Sequence, residues 1–529
     1  MLSIQNVTYT HPDKELLFKD INLSVRKQDK AALIGNNGSG KSTLLKILAG
    51  KLKPSSGSVH RESIPYYIPQ HFGQFNDLTV AQALQVENKL SALHQVLEGN
   101  GTDNSLAILE DDWTIEERCI DALSFWKINE PVLNRTLHDL SGGEKTKVLL
   151  AGIQIHDPDI ILLDEPTNHL DSTSRELLYS FVKATDKTLI VISHDRVLLE
   201  MLSPMYELSK KGLNVYGGNY SFYKAQKSIE ENALFQYVEN RERALKAAKK
   251  IEREAIERKQ RQNSRGKRKL EKENAPRIVR KTMRNKAEAT TSNLKKTHSE
   301  KIDALSEELK QFREKMPELE KIKLDFKDSI LHKGKMLATG KEINFSYGGK
   351  PLWSEPLYFR VASGDRVCIK GVNGSGKSTL LNIILGNLKP TEGELTRADF
   401  RWIYMDQDYS MIDPALTVYE QVQKFNLEKL EEHEIKIRLN RFLFDKEFWR
   451  KSCGSLSGGE KMRVSLCCLM VCECAPDMFV LDEPTNNLDL ENIGILASAV
   501  NNYSGTVMVV SHDISFLEEI GITEEITLR

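Results

Sequence analysis

No run of apolar residues in this 529-residue chain approaches the ~20 that a membrane-spanning helix needs. Met1 to Tyr9 alternates like a strand and lacks the pattern of a secretory leader, so none is expected. Cysteine is sparse. Seven residues, odd in number and irregularly spaced, exclude a disulfide framework and point to a reducing compartment. Cys467, Cys468, Cys472 and Cys474 fall in one predicted helix; with no second ligand cluster to complete a metal site, they read as buried thiols. Glycine and proline are both absent from Phe222 to Gln262, which predicts a single helix ~60 Å long. Core-forming residues are scarce throughout 222–335.

What that stretch has is charge. From Arg241 to Lys286 there are 19 Lys/Arg against 6 Asp/Glu, and from Phe222 to Lys335 there are 32 against 19, a net +13 in each case. The whole chain is −1, so the remaining residues carry −14. A near-neutral total hides a basic arm on an acidic body, the electrostatic footprint of a nucleic-acid partner. A solvated helical hairpin would carry similar charges, and the flanking sequence has to decide between them.

On both sides of the arm lies an apolar strand running into G-x-x-x-x-G-K-S and then an amphipathic segment. The first loop is Gly35, Asn36, Asn37, Gly38, Ser39, Gly40, Lys41, Ser42, Thr43. The second is Gly371, Val372, Asn373, Gly374, Ser375, Gly376, Lys377, Ser378, Thr379. Such a loop cradles a polyphosphate with backbone N–H groups at a helix N-terminus, the lysine reaching the β- and γ-phosphates and the serine hydroxyl a Mg²⁺ ion. Lys41 and Lys377 are 336 residues apart. Gln70 and Gln407, Leu-Ser-Gly-Gly-Glu at 140–144 and 456–460, Asp-Glu-Pro at 164–166 and 482–484, and Ser-His-Asp at 193–195 and 511–513 repeat at offsets of 316 to 318 residues, or 337 for the glutamines. Repetition over that distance means two whole domains, not a solenoid. The chain is read as α/β: two P-loop domains, 1–221 and 336–529, joined by a long basic helical hairpin, 222–335.

These motifs resemble those of ATP-binding cassette ATPases. The wording Asp-Glu-Pro-Thr-Asn-His-Leu-Asp (164–171) and Asp-Glu-Pro-Thr-Asn-Asn-Leu-Asp (482–489), with Tyr216-Gly-Gly-Asn-Tyr-Ser-Phe-Tyr223, is similar to the ABC-F family of soluble tandem-cassette proteins. The resemblance implies ATP and Mg²⁺ as ligands and hydrolysis of ATP to ADP and phosphate. Asp164 and Asp482 would hold Mg²⁺ together with Ser42, Gln70, Ser378 and Gln407. Glu165 and Glu483 would act as general bases on the attacking water, and His194 and His512 would hold that water in line. Ser141, Gly142 and Gly143 would cover the ATP on Lys377, and Ser457, Gly458 and Gly459 the ATP on Lys41, so that nucleotide glues the two cassettes of one monomer together. Tyr347 would stack on adenine. His11 stands in the matching position of the first cassette and stacks less well, with Tyr9 close enough to substitute.

For the arm, the resemblance implies a ribosomal partner: large-subunit RNA, and tRNA, met from the E site by a cytoplasmic protein acting as a translation factor or an antibiotic-resistance protein. The residues predict its shape. Ile229, Ala233, Tyr237, Ala244, Ala248, Ile251 and Ala255 make one thin apolar stripe; Ile302, Leu305, Leu309, Phe312, Met316 and Leu319 make a second with coiled-coil spacing that Pro317 ends. The two helices should pair antiparallel, with a basic tip at 263–286 whose Arg and Lys meet RNA phosphates. The alternative is the ATPase half of a membrane transporter with separately encoded spanning subunits, which gains nothing obvious from such an arm. The first cassette carries 21 more residues between its glutamine and its Ser-Gly-Gly than the second, around Lys89 to Glu117. These are too few for the helical arm of some ABC-F proteins and are expected to form a surface loop at Gly99 to Asn104.

Overall fold

The computed structural model describes residues 1–12, 16–70, 72–128, 133–209, 212–272, 277–313, 331–426, 430–472 and 476–528. Two compact units emerge: Met1–Tyr223 with Lys321–Arg529, and Lys224–Glu320.

The first unit contains the two phosphate loops, each on its own sheet. Continuous apolar runs such as Ile160–Asp164 (IILLD) and Thr188–Ile192 (TLIVI) are what a parallel strand covered on both faces requires. They sit centrally in the order Tyr66–Ile68, Ile160–Asp164, Thr188–Ile192, Lys30–Ile34, Met205–Ser209, with Gly212–Tyr216 antiparallel at the edge. The second sheet repeats this order with five parallel strands: Trp402–Met405, Met478–Asp482, Thr506–Val510, Arg366–Lys370, Glu524–Thr527. A three-stranded antiparallel sheet lies beside each: Leu16–Val25, Leu2–Thr10 and Ser56–Arg61 in one, Leu357–Ala362, Met336–Asn344 and Glu392–Arg397 in the other. Each cassette buries two apolar clusters. One joins the antiparallel sheet to the helix after the phosphate loop; the other joins the parallel sheet to the helical subdomain. Phosphate loop, acid pair and histidine therefore lie at the C-terminal ends of adjacent parallel strands, where an open α/β sheet presents its ligand crevice.

The extra segment of the first cassette corrects the expectation of a loop. Glu87–Leu97 and Asp103–Leu109 are helices that turn at Gly99 (φ +82), and Leu90, Leu93 and Leu109 are buried in the cassette core. Thr102 caps the second helix, accepting from the Ser105 N–H, so a polar-looking turn is in fact a helix start. Cys467 and Cys468 are fully buried in the second cassette, and burial pushes the Cys467 thiol up to about 12. Cys474 lies outside the described residues.

The second unit is helical. The helix Tyr220–Lys272 runs ten residues past the expected end, through Gly266; the next spans Arg277–Arg313. One glycine costs a helix only about 1 kcal/mol, too little to break a run of Lys, Arg, Glu and Gln, so most of the expected basic tip is helix. The helices pair antiparallel. The Tyr237 and Phe312 rings lie 4.3 Å apart, Tyr237 donates its hydroxyl to Glu308, Arg241 pairs with Glu308 at 3.3 Å, and Val238 and Leu309 are buried. Met316, Pro317 and Leu319, and the side chains of 266–291, lie outside the described residues.

Candidate active site

The two phosphate loops are built alike. Lys41–Leu48 and Lys377–Leu385 start at Gly40 (φ +95) and Gly376 (φ +88), a left-handed conformation that glycine adopts freely. A Cβ at Gly40 would press on Leu17 and Phe18, and one at Gly376 on Leu352. Lys41 Nζ donates to the carbonyls of Gly35 (2.7 Å) and Asn36 (3.2 Å); Lys377 Nζ does the same to Gly371 (2.8 Å) and Val372 (3.2 Å). Burial lowers both lysines from their ordinary value, while neighbouring acids, led by Glu165 and Glu483, oppose it. The hydroxyls of Ser39 and Ser375, at matching loop positions, are buried without a hydrogen-bond partner. A cradle of backbone and hydroxyl groups closed to Cβ atoms fits a phosphate chain.

Opposite each loop stands the acid pair. Asp164 is buried, accepting from the Ser42 hydroxyl (3.1 Å) and the Tyr67 hydroxyl (3.3 Å); Asp482 accepts from the Tyr404 hydroxyl at 2.6 Å. The next residue, Glu165 or Glu483, has a positive φ of 52° or 48°, as do His169 (64°) and Asn487 (62°). Such backbone costs a non-glycine residue about 1–2 kcal/mol and is held by Glu165 N–H on Ile192 O (2.9 Å) and Glu483 N–H on Val510 O (2.8 Å). His194 Nε2 approaches Glu165 Oε1 at 3.2 Å and His512 Nε2 approaches Glu483 Oε1 at 3.5 Å. Burial pushes Glu165 up to about 8 and Glu483 up to about 7, and lowers His194 well below its usual range and His512 to about 4. Both directions favour a neutral imidazole beside an acid poised near neutrality. That is the range a general base needs, and the oxygen-rich donor set of Ser42 and Asp164 suits Mg²⁺.

The remaining expected residues lie nearby in the fold. Gln70 and Gln407 each follow by two residues the strand bearing Tyr67 or Tyr404. Ser141 and Ser457 are the N-caps of Gly142–His156 and Gly458–Val471, each in a capping box with Glu144 or Glu460. Tyr347 is exposed, and its hydroxyl lies 3.2 Å from Thr379 Oγ1, beside the second phosphate loop. Tyr9 and His11 form an edge-on pair at 5.5 Å in the first cassette.

The cassettes touch at both loops. Asn37 N–H donates to Asp489 Oδ2 (2.8 Å), Asn37 Nδ2 to Asn487 O (2.9 Å) and Asn36 Nδ2 to Glu491 Oε2 (2.8 Å). In the other direction Asn373 Nδ2 donates to His169 O at 3.2 Å. A Cβ on Gly458 would stand 3.5 Å from Asn487 O, and one on Gly143 3.8 Å from Asn373 Nδ2. Each Ser-Gly-Gly helix start thus abuts the loop that contacts the opposite phosphate loop. Tyr67, Tyr404, Asn487 and Asp489 escaped the sequence reading as site residues. The repeat of a tyrosine three residues before each glutamine was the available signal.

The family model described as ABC transporter matches residues 18–168 and 355–486, which makes each half an ATP-binding, ATP-hydrolysing domain of this general type. "ABC transporter F family member 5" of Arabidopsis thaliana is 28% identical, covering 98% of this chain and 74% of the relative. "Probable ATP-binding protein YbiT" of Escherichia coli O157:H7 is 31% identical, over 98% of this chain and 94% of the relative. The chain belongs to the ABC-F family. The same tandem fold appears in the "complex of archaeal ribosomal stalk protein aP1 and archaeal ribosome recycling factor aABCE1", with a TM-score of 0.58, 20% identity, and coverage of 97% of this ABC-F chain and 86% of that one. Among the described residues of this ABC-F protein, no helix is long and apolar enough to cross a membrane.

Proposed function

We propose that this protein is a Mg²⁺-dependent ATPase of the cytosol whose two cassettes close on ATP and thereby gate the docking of the basic hairpin on the ribosome. The observation that carries the reading is the reciprocal seating of each phosphate loop against the residues just after Asp-Glu-Pro-Thr-Asn in the other cassette, Asn487 and Asp489 on one side and His169 on the other. Bound between Lys41 and Ser457-Gly458-Gly459, and between Lys377 and Ser141-Gly142-Gly143, two ATP molecules bridge the halves. Ser42, Asp164 and Gln70, and likewise Ser378, Asp482 and Gln407, would hold a Mg²⁺ ion, which would supply neutralising charge for the phosphates. Glu165 and Glu483 take the proton of the attacking water. His194 and His512, neutral at physiological pH, orient it. Tyr347 carries the base of the second ATP. Loss of the γ-phosphate removes the bridge, so closed and open states differ in their affinity for ATP and ADP.

The partner is inferred from the arm. A net +13 over 222–335 on a body of −14 suits phosphate-rich RNA, and family membership points to the large ribosomal subunit, with tRNA as a second contact. The activity is modulation of translation or protection of the ribosome from antibiotics; the long hairpin leans to protection. A drug-susceptibility panel with and without expression tests this, covering lincosamides, pleuromutilins, streptogramins, macrolides and phenicols. Raised tolerance to one or more classes is expected of a protection protein. An unchanged panel with altered polysome profiles makes it a translation factor. Co-purification with a membrane complex, and none with ribosomes, overturns both.

A further inference from the structure

The interface between the cassettes is not symmetric in charge. Arg175 lies on the helix Ser172–Ala184 of the first cassette, four residues beyond Asp171, which caps that helix. Its side chain is 90% buried. Arg175 Nε donates to Leu170 O at 3.2 Å, and its Nη1 stands 3.5 Å from Asp195 Oδ2 and 3.4 Å from the backbone oxygen of His512, across the interface. Asp195 is itself held by the Tyr179 hydroxyl at 2.5 Å and caps the helix Arg196–Glu200. A second arginine of the same cassette, Arg196, pairs with Glu519 of the other at 2.5 Å.

At the repeat offset of 318, the second cassette has Ile493, Ala497 and Ile514 where the first has Arg175, Tyr179 and Arg196. Ile493 is buried and Ile514 exposed. Neither can donate a hydrogen bond to the backbone of His194. The cationic strap is therefore one-sided: the first cassette grips the histidine loop of the second, and among the described residues no arginine of the second cassette returns the contact.

We propose that Arg175 is a positioning residue acting across the interface on the second nucleotide site alone. By holding the His512 carbonyl it fixes the imidazole for hydrolysis of the ATP on Lys377, and it ties turnover there to contact between the cassettes. The two sites, alike in their own motifs, are then unequal in their coupling to closure.

The proposal rests on the ATPase reading above. The test uses the full chain with an 8-azido-ATP photolabel trapped by orthovanadate, the label being assigned to 1–221 or 336–529 after proteolysis between the cassettes. In Arg175→Met, trapping on the 336–529 half should fall at least fivefold more than on the 1–221 half. Overall kcat should drop while KM changes less than twofold, and Arg175→Lys should restore more than half of the trapping that Arg175→Met loses. Equal loss in both halves, or no loss in either, overturns the assignment. A parent chain that traps no label in either half overturns the ATPase reading, and the assignment with it.

Discussion

At the scale of single residues, the two sites are defined by acids that the fold makes costly to bury. Asp164 and Asp482 are each steadied by a tyrosine hydroxyl from the neighbouring strand. Groups that orient a metal ligand typically matter by 10–100-fold in metal affinity. Tyr404→Phe should therefore raise the Mg²⁺ concentration needed for half-maximal ATP binding at the second site about tenfold, as read by a metal titration of labelled-nucleotide binding. Asp489 has two tasks: its Oδ1 caps the helix Leu490–Asn502 through the Asn492 N–H, and its Oδ2 receives Asn37 across the interface. Asp489→Ala should cost about 1 kcal/mol through the lost cap. Thermal unfolding measures that cost, and cross-linking should show weaker ATP-driven closure. The motif residues themselves were readable, because each phosphate loop and acid pair has a fixed wording and spacing. Asp489 in its interface role and Arg175 were not. What they do depends on which surface of the other cassette they meet, and no local pattern encodes that.

At the scale of elements, local chemistry was legible where periodicity was strong and misleading where polar residues clustered. The parallel strands were plain from runs such as Ile160–Asp164. Gly99 to Asn104 read as loop, yet its threonine and aspartate open a helix whose Leu109 reaches the core. The first hairpin helix was expected to end near Gln262, and the helix formers around Gly266 carry it on to Lys272. The pairing of the hairpin was foreseen from its two stripes, since Leu309 and Phe312 fall at seam positions. Leu309 is nearly inaccessible, so Leu309→Ala should destabilise the hairpin by about 2 kcal/mol. Hydrogen exchange should then quicken in both 231–245 and 302–313, and remain as in the parent for the parallel strands of the cassettes.

At the scale of the whole molecule, two cassettes seat their phosphate loops on one another, and a basic helical unit lies between them in the chain; on the proposed function the first would be a nucleotide-driven clamp and the second a charged arm. If the arm meets RNA phosphates, ribosome affinity should fall steeply with salt, and replacing Lys and Arg of 263–286 by Gln should flatten that dependence. Whether the clamp governs the arm is tested most directly by ribosome co-sedimentation of the Glu165→Gln, Glu483→Gln double variant in ATP, over a series of salt concentrations. If Glu165 and Glu483 act as proposed, ATP should bind to the variant without being cleaved, and the variant should pellet with ribosomes at salt concentrations that strip the parent protein, and only when ATP is present. A double variant that washes off at the same salt as the parent, or pellets equally without ATP, would contradict the account.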